Sequence, residues 1–168
     1  MPVLVEPFST SHEDDLIGVL RRVRAMEGAY PPPQDVSGTD ASYRSWLLSE
    51  PPLASWVATV DGSAVGHIAT TRCHDYMERF LRGRIPRGVE ARRMLEVGRF
   101  FVDPLHQGAG IGTALFETAL AFVHDSGSAA SLAVIEGSAV ARSFYRAHGL
   151  TEVGTFEGVH GTNHVFVE

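Results

Sequence analysis

The stretch from Met94 to Thr113 constrains the fold more than any other. Met94 to Val102 is rich in apolar and aromatic residues and reads as a strand. Asp103-Pro104 stops it, because proline has no amide hydrogen to give to a sheet. Gln107-Gly108-Ala109-Gly110-Ile111-Gly112 then turns the chain into a helix over residues 110–125, where Ile111, Leu115, Ala119 and Phe122 make one apolar stripe. Strand, glycine-rich turn and amphipathic helix in direct succession form a β–α unit, which needs a sheet with helices packed on it. Glycines at 108, 110 and 112 let backbone amides come close to a ligand. The helix start adds amides without intrahelical partners and the positive end of a dipole. The physical reading is an anion site suited to a phosphate group, and the structural alternative is a plain tight turn.

The rest of the chain supports the same class. Val3 to Phe8 reads as a strand. Thr10 and Glu13 have capping-box spacing, with Ser9 and Ser11 as other caps. Leu16, Val19, Leu20, Val23 and Met26 then recur at helical spacing up to Gly28. Tyr30-Pro31-Pro32-Pro33 cannot extend that helix. A second, short helix begins near Asp40, with Tyr43, Trp46 and Leu47 on its apolar face. Ser55 to Val60 and Ala64 to Ala69 flank Asp61-Gly62, a hairpin signal. Tyr76, Phe80 and Leu81 line a helical turn before Gly83. Ser131 to Ile135 is a short buried strand, and Ala139 to His148 is a helix ended by Gly149. Two strands close the chain, Thr151 to Phe156 and Thr162 to Val167. The order β-α-α-β-β-β-α-β-α-β-β implies an α/β fold, a mixed parallel and antiparallel sheet flanked by helices, in a single domain over residues 1–168.

Composition narrows the function. A net charge of −6 argues against a nucleic-acid partner. No apolar run is long enough to span a membrane, and Met1 to Glu6 lacks the basic region of a signal peptide, so a cytoplasmic location is expected. The one cysteine, Cys73, rules out a disulfide framework. All 14 residues of the Lys+Arg class are arginines, which removes lysine catalysis. It also removes the P-loop pattern, which needs Gly-Lys-Ser/Thr. The dinucleotide pattern Gly-x-Gly-x-x-Gly fails at Thr113, and this turn falls too late in the chain.

Val102-Asp103-Pro104 followed by Gln107-x-x-Gly110-x-Gly112 resembles the acetyl-CoA signature of the GNAT (general N-acetyltransferase) superfamily. A second motif of that family matches at Ala141-x-x-Phe144-Tyr145-x-x-x-Gly149-Leu150, and the element order agrees over nearly the whole chain. The resemblance implies a GNAT-like fold with acetyl-CoA as acyl donor. It implies that the backbone of Phe100, Phe101 and Val102 pairs with the pantetheine arm, and that the Val102 amide serves the oxyanion. Gln107 and the residues Gly108, Ala109, Gly110, Ile111, Gly112 and Thr113 would wrap the pyrophosphate. Ser138 stands where many relatives carry an asparagine; serine is shorter, so the resemblance implies a weaker or water-mediated cofactor contact there. Tyr145 matches the general acid that protonates the CoA thiolate, its alternative being a core tyrosine beside Phe144.

Relatives often place a glutamate where this chain has Ala133. The candidate base is Glu96, on the strand leading to Val102, acting directly or through water, on a face that alternation would share with Gly98, Phe100 and Val102. The alternative for Glu96 is a pairing with Arg99 or Arg72. Seven arginines fall at 72, 79, 82, 84, 87, 92 and 93, partly offset by Asp75, Glu78 and Glu90. That segment reads either as a basic flap or as a solvated face. His160 and His164 show no third ligand, so no metal is expected, and His67, His74, His106, His124 and His148 show no partner pattern. The implied activity is direct acetyl transfer to a primary amine in a ternary complex, the acceptor being a small-molecule amine or a protein N-terminus. A homodimer is compatible with this reading, and a non-catalytic acyl-CoA-binding or regulatory module is the alternative.

Overall fold

In the computed structural model, which describes residues 2–28, 30–32, 35–85 and 93–168, seven strands form one sheet. They are Leu4–Pro7 (β1), Ala54–Val60 (β2), Ser63–Arg72 (β3), Met94–Val102 (β4), Ala129–Ile135 (β5), Thr151–Gly158 (β6) and Gly161–Val167 (β7). Their order is β1-β2-β3-β4-β5-β7-β6. The helices are Glu13–Glu27 (α1), Asp40–Leu48 (α2), Asp75–Leu81 (α3), Ile111–Asp125 (α4) and Ala139–Ala147 (α5). The mixed sheet agrees with the expected class, and the element order departs from it by one helix, α3. Only a helical turn was expected there, because seven residues carry too few apolar repeats to display a period. Met1, Pro33, Arg87, Glu90 and Arg92 lie outside the described residues.

The chain divides into two compact units, Met1–Thr70 with Arg99–Ala121, and Thr71–Gly98 with Phe122–Glu168. In the first, β1 pairs antiparallel with β2, and β2 with β3. Asp61 and Gly62 both have positive φ, 50° and 83°, the twist that suits a two-residue hairpin. A short 3-10 turn, Thr10–His12, precedes α1, and its cap is Ser9 with His12 completing the box, rather than Thr10 with Glu13. Gly28 ends α1 at φ 69°, its amide returning to the Arg24 carbonyl. Leu16, Val19, Leu20 and Val23 of α1 pack with Tyr43 and Leu47 of α2 and with Val57, Ala64 and Phe101.

In the second unit β4 runs parallel to β5, with Met94 opposite Ala129 and Glu96 opposite Ser131. A parallel pair needs a crossover connection, which α4 supplies. β7 then pairs antiparallel with both β5 and β6. The β6–β7 hairpin reaches further than expected at its turn, to Gly158 and Gly161. Met77 and Leu81 of α3, Met94, Val165 and Val167 form a buried cluster, with Cys73, Phe80 and Phe156 against it.

Candidate active site

In the first unit the end of β4 is held from several sides. Asp103 is buried, donates its amide to the Val65 carbonyl (2.7 Å) and accepts from Arg22 Nε (3.0 Å) and Nη2 (2.6 Å). It also caps the following 3-10 turn by accepting from the Leu105 amide. Burial pushes the Asp103 carboxyl up, but the Arg22 and Leu105 hydrogen bonds outweigh it and hold the group below its ordinary range. The next residues are thereby aimed by an anchored corner.

Gly108 and Gly110 have φ of 80° and 77°, a conformation that side chains disfavour. A Cβ on either would meet nothing within 4 Å, so backbone conformation, not crowding within the protein, accounts for these two glycines. Gly112 is the second residue of α4, inside the helix expected from residue 110 onward. The Ala114 amide donates to the Gly110 carbonyl, so the amides of Ile111, Gly112 and Thr113 precede the first helical bond. Those amides and the helix dipole give this turn its capacity for an anion. Of the expected stripe, Ile111, Leu115 and Ala119 are buried, Phe116 and Val123 join them, and Phe122 is only half-buried.

Gly66 on β3 is a contributor that sequence reading missed. A Cβ there would lie 3.0 Å from Leu115 Cδ1 and 3.1 Å from the Phe101 carbonyl oxygen. The missing side chain lets α4 sit close to the sheet. The only signal was a glycine inside an otherwise apolar strand.

Arg99 corrects the expected alternation along β4. Its φ is 46°, which interrupts the extended backbone, so Glu96, Gly98, Phe100 and Val102 do not follow from one regular face. Phe100 stacks with Phe116 of α4, while Phe101 stacks with His67 and meets Trp46. The Arg99 carbonyl accepts from His67 Nδ1 (2.8 Å), and its guanidinium donates to the carbonyls of Leu47 (3.2 Å) and Glu50 (2.7 Å). Burial lowers His67 to about 4, so it is a neutral structural donor.

In the second unit Glu96 is buried and is not paired with Arg99 or Arg72. Its Oε2 accepts from the His74 amide (2.6 Å) and meets His74 Nδ1, while Oε1 accepts from the Tyr76 hydroxyl (3.2 Å). His74 also stacks on Tyr76, with ring centroids 5.6 Å apart. His74 shows no partner pattern in the sequence; its partner is 22 residues away, beyond any local spacing rule. Glu96 thus fastens the start of α3 and holds two ionisable neighbours on its two oxygens.

Tyr145 is buried in the same unit, near Phe144 and Phe166. Burial raises its phenol above the ordinary range, so it stays protonated and can donate but not act as a base. Ser138 caps the start of α5, its carbonyl accepting from the Arg142 amide (3.1 Å). Burial first, then the charges of Glu96 and Glu78, push the Cys73 thiol up to about 12. Such a thiol is a poor nucleophile. His164 pairs with Glu152 (2.5 Å), and among the described residues no group of three His, Cys, Asp or Glu could hold a metal. No helix of the described residues is long and apolar enough to cross a membrane.

Residues 20–150 match the family described as Acetyltransferase (GNAT) family. An uncharacterized N-acetyltransferase of Archaeoglobus fulgidus is 32% identical over 141 residues, 82% of this chain and 85% of that protein. PH1933 from Pyrococcus horikoshii OT3 shares the fold with a TM-score of 0.72 at 22% identity, over 99% of this chain and 98% of that one. Arabidopsis thaliana NAA60, solved in complex with acetyl-CoA, shares it with a TM-score of 0.70 at 14% identity, over 99% and 98%. The family pattern runs through most of the length, on the fold that these structures share, and the chain therefore belongs to the GNAT acetyltransferase family and is an N-acetyltransferase.

Proposed function

We propose that this enzyme transfers the acetyl group of acetyl-CoA to a primary amine by direct attack within a ternary complex. The observation that carries the reading is the pair of left-handed glycines, Gly108 and Gly110, opening onto the amides of α4. That turn suits a pyrophosphate, with Gln107 to Thr113 around it and open space where side chains would stand. The acyl donor is acetyl-CoA, the ligand of the NAA60 relative. Phe100, Phe101 and Val102 would guide the pantetheine arm, and Ser138 would add a contact at the start of α5.

The roles of the side chains follow from their surroundings. Glu96 takes the proton of the incoming ammonium; with both oxygens already engaged, the transfer runs through His74 or water. The amine lone pair then forms a bond to the thioester carbon, and the oxyanion draws on the Val102 amide. Collapse breaks the carbon–sulfur bond, and Tyr145, kept protonated by burial, gives its proton to the thiolate. The second proton of the attacking nitrogen restores the phenol through water. The high pKa of Cys73 supports direct attack over an acetyl-cysteine intermediate.

Residues 1–168 act in this reading as a single transferase domain, in the cytoplasm, where an unpaired thiol such as Cys73 is at home. The test is amine-dependent release of CoA thiol from acetyl-CoA. Release is expected, with Tyr145→Phe lowering kcat about 100-fold at unchanged CoA affinity. CoA binding without thiol release for any amine, peptide or amino acid would overturn the reading.

A further inference from the structure

Helix α5 carries Tyr145 and is only nine residues long, Ala139–Ala147. A helix of that length is marginal by itself and takes its place from tertiary contacts. Its N-cap, Ser138, makes no side-chain cap bond, so the first turn lacks that anchor. Tyr145 packs against the Phe166 ring of β7, with centroids 5.9 Å apart. Apolar contact is non-directional: it brings helix and sheet together without fixing rotation or slide. Two arginines supply the direction. Arg142 and Arg146 stand four apart on one helix face, with Tyr145 between them. Arg146 Nη2 donates to Glu152 Oε2 of β6, and its guanidinium covers the Phe166 ring at 5.6 Å. The other Glu152 oxygen, Oε1, meets His164 Nδ1 of β7 at 2.5 Å. The opposite ring nitrogen, Nε2, meets Arg142 Nη1 at 3.4 Å.

We propose that His164 is a positioning residue for acetyl transfer: with Glu152 it clamps Arg142 and Arg146 to β6 and β7, and so fixes where α5 holds the Tyr145 hydroxyl. The assignment rests on Tyr145 being the acid of the transfer. A carboxylate only accepts and a guanidinium only donates. His164 therefore gives its Nδ1 proton to Glu152 and accepts from Arg142 at Nε2, a relay that works in one neutral tautomer. The His164 bond lowers the Glu152 carboxyl most; burial pushes it back up, the Arg146 bond lowers it again, and the group stays below its ordinary range. His164 is buried, and Arg142 Nε, also buried, has no hydrogen-bond partner among the described residues, so Nε adds nothing to the hold on Arg142. All of these groups lie in the second unit with Tyr145. A proton donor has to stand within about 0.5 Å and 10–20° of its productive place. Ring packing does not set a phenol that closely; directional bonds on either side of it do.

The test is a double-mutant cycle on kcat, read as CoA thiol release from acetyl-CoA with an amine that the wild type uses. His164→Leu keeps bulk on β7 and removes both hydrogen bonds. It should lower kcat about tenfold while CoA affinity, the control for folding, stays unchanged. His164→Gln, whose amide both donates and accepts, should recover most of that loss. Arg142→Met repeats the test from the helix side and leaves β7 as it is. In Tyr145→Phe, His164→Leu and Arg142→Met should lower kcat no further, because the place of a missing acid has no effect. A wild-type kcat in His164→Leu and Arg142→Met, a loss in His164→Gln as large as in His164→Leu, or a full further loss in the Tyr145→Phe background overturns the positioning role and leaves Tyr145 as the acid. A wild-type kcat in Tyr145→Phe overturns the acid assignment and the positioning role with it. Absence of thiol release from the wild type with any amine overturns the transfer reading and both roles.

Discussion

The turn at Gln107 to Thr113 and the Glu96–His74–Tyr76 cluster handle charge in opposite ways. The turn offers backbone amides, and its only sequence requirement is a set of glycines that can take positive φ at 108 and 110. The cluster offers side chains, and it exists only because β4 brings Glu96 against the start of α3. A backbone site tolerates change in its neighbours but not in its glycines. A side-chain site has the reverse sensitivity, since each member is held by another. The difference matters for substitution: the first arrangement depends on backbone conformation, and the second on the identity of every partner side chain.

The largest expected effect should break the first region alone. Gly110→Trp places a bulky residue at φ 77° in the anion turn and should weaken CoA binding by at least about 100-fold, or roughly 3 kcal/mol. Calorimetry with CoA checks it; an unchanged CoA affinity would contradict the anion turn. Next in size, Glu96→Gln should lower kcat about 100-fold while CoA affinity stays the same. A loss confined to CoA affinity would move Glu96 out of the proton path.

Smaller effects sharpen the structural side of the contrast. His67 is buried and titrates at about 4 in the fold against 6.5 when exposed. A lowered folded value means that the unfolded chain binds the extra proton. Stability from this group is therefore complete above 6.5 and falls as the pH drops toward 4, by up to about 3 kcal/mol. Melting curves across that window should be steeper in wild type than in His67→Gln. Gly66→Ala should cost about 1–3 kcal/mol and lower Tm by roughly 5 °C, because the Phe101 carbonyl cannot move aside. The smallest expected effect is at Cys73: a thiol near 12 should resist alkylation at pH 8, and Cys73→Ser should change kcat less than about twofold. Rapid alkylation with loss of activity would reopen a covalent route.

Legibility divided along the same line. The Asp61-Gly62 hairpin, the Gly28 cap of α1 and the helix after Gly110 were readable because each depends on a few adjacent residues. Helix α3 was readable only as a turn, since it is short and its cap has no side-chain bond. The break at Arg99 was invisible, because nothing local asks a bulky residue to take φ 46°; the contacts to His67, Leu47 and Glu50 impose it. Glu96 was legible as a carboxylate on β4, and the alternative pairing with Arg99 or Arg72 is not the one formed. Arg99 is near in sequence, whereas His74 and Tyr76 come from another element, and no local spacing rule selects them over Arg72.

What the sequence determined by itself is the local frame: the glycine spacing after a proline-stopped strand, the amphipathic helix that follows, and the Phe144-Tyr145 motif. These are local, and backbone conformation follows from local residue type. Only the tertiary structure decided the surroundings of the side chains. The union of Glu96 with His74 and Tyr76, the contacts of the Phe156 ring with Tyr76 and Phe80, and the raised pKa values of Tyr145 and Cys73 all arise from burial and from contacts between distant segments. Desolvation and side-chain pairing depend on what surrounds a residue in space, and a linear pattern carries no record of that.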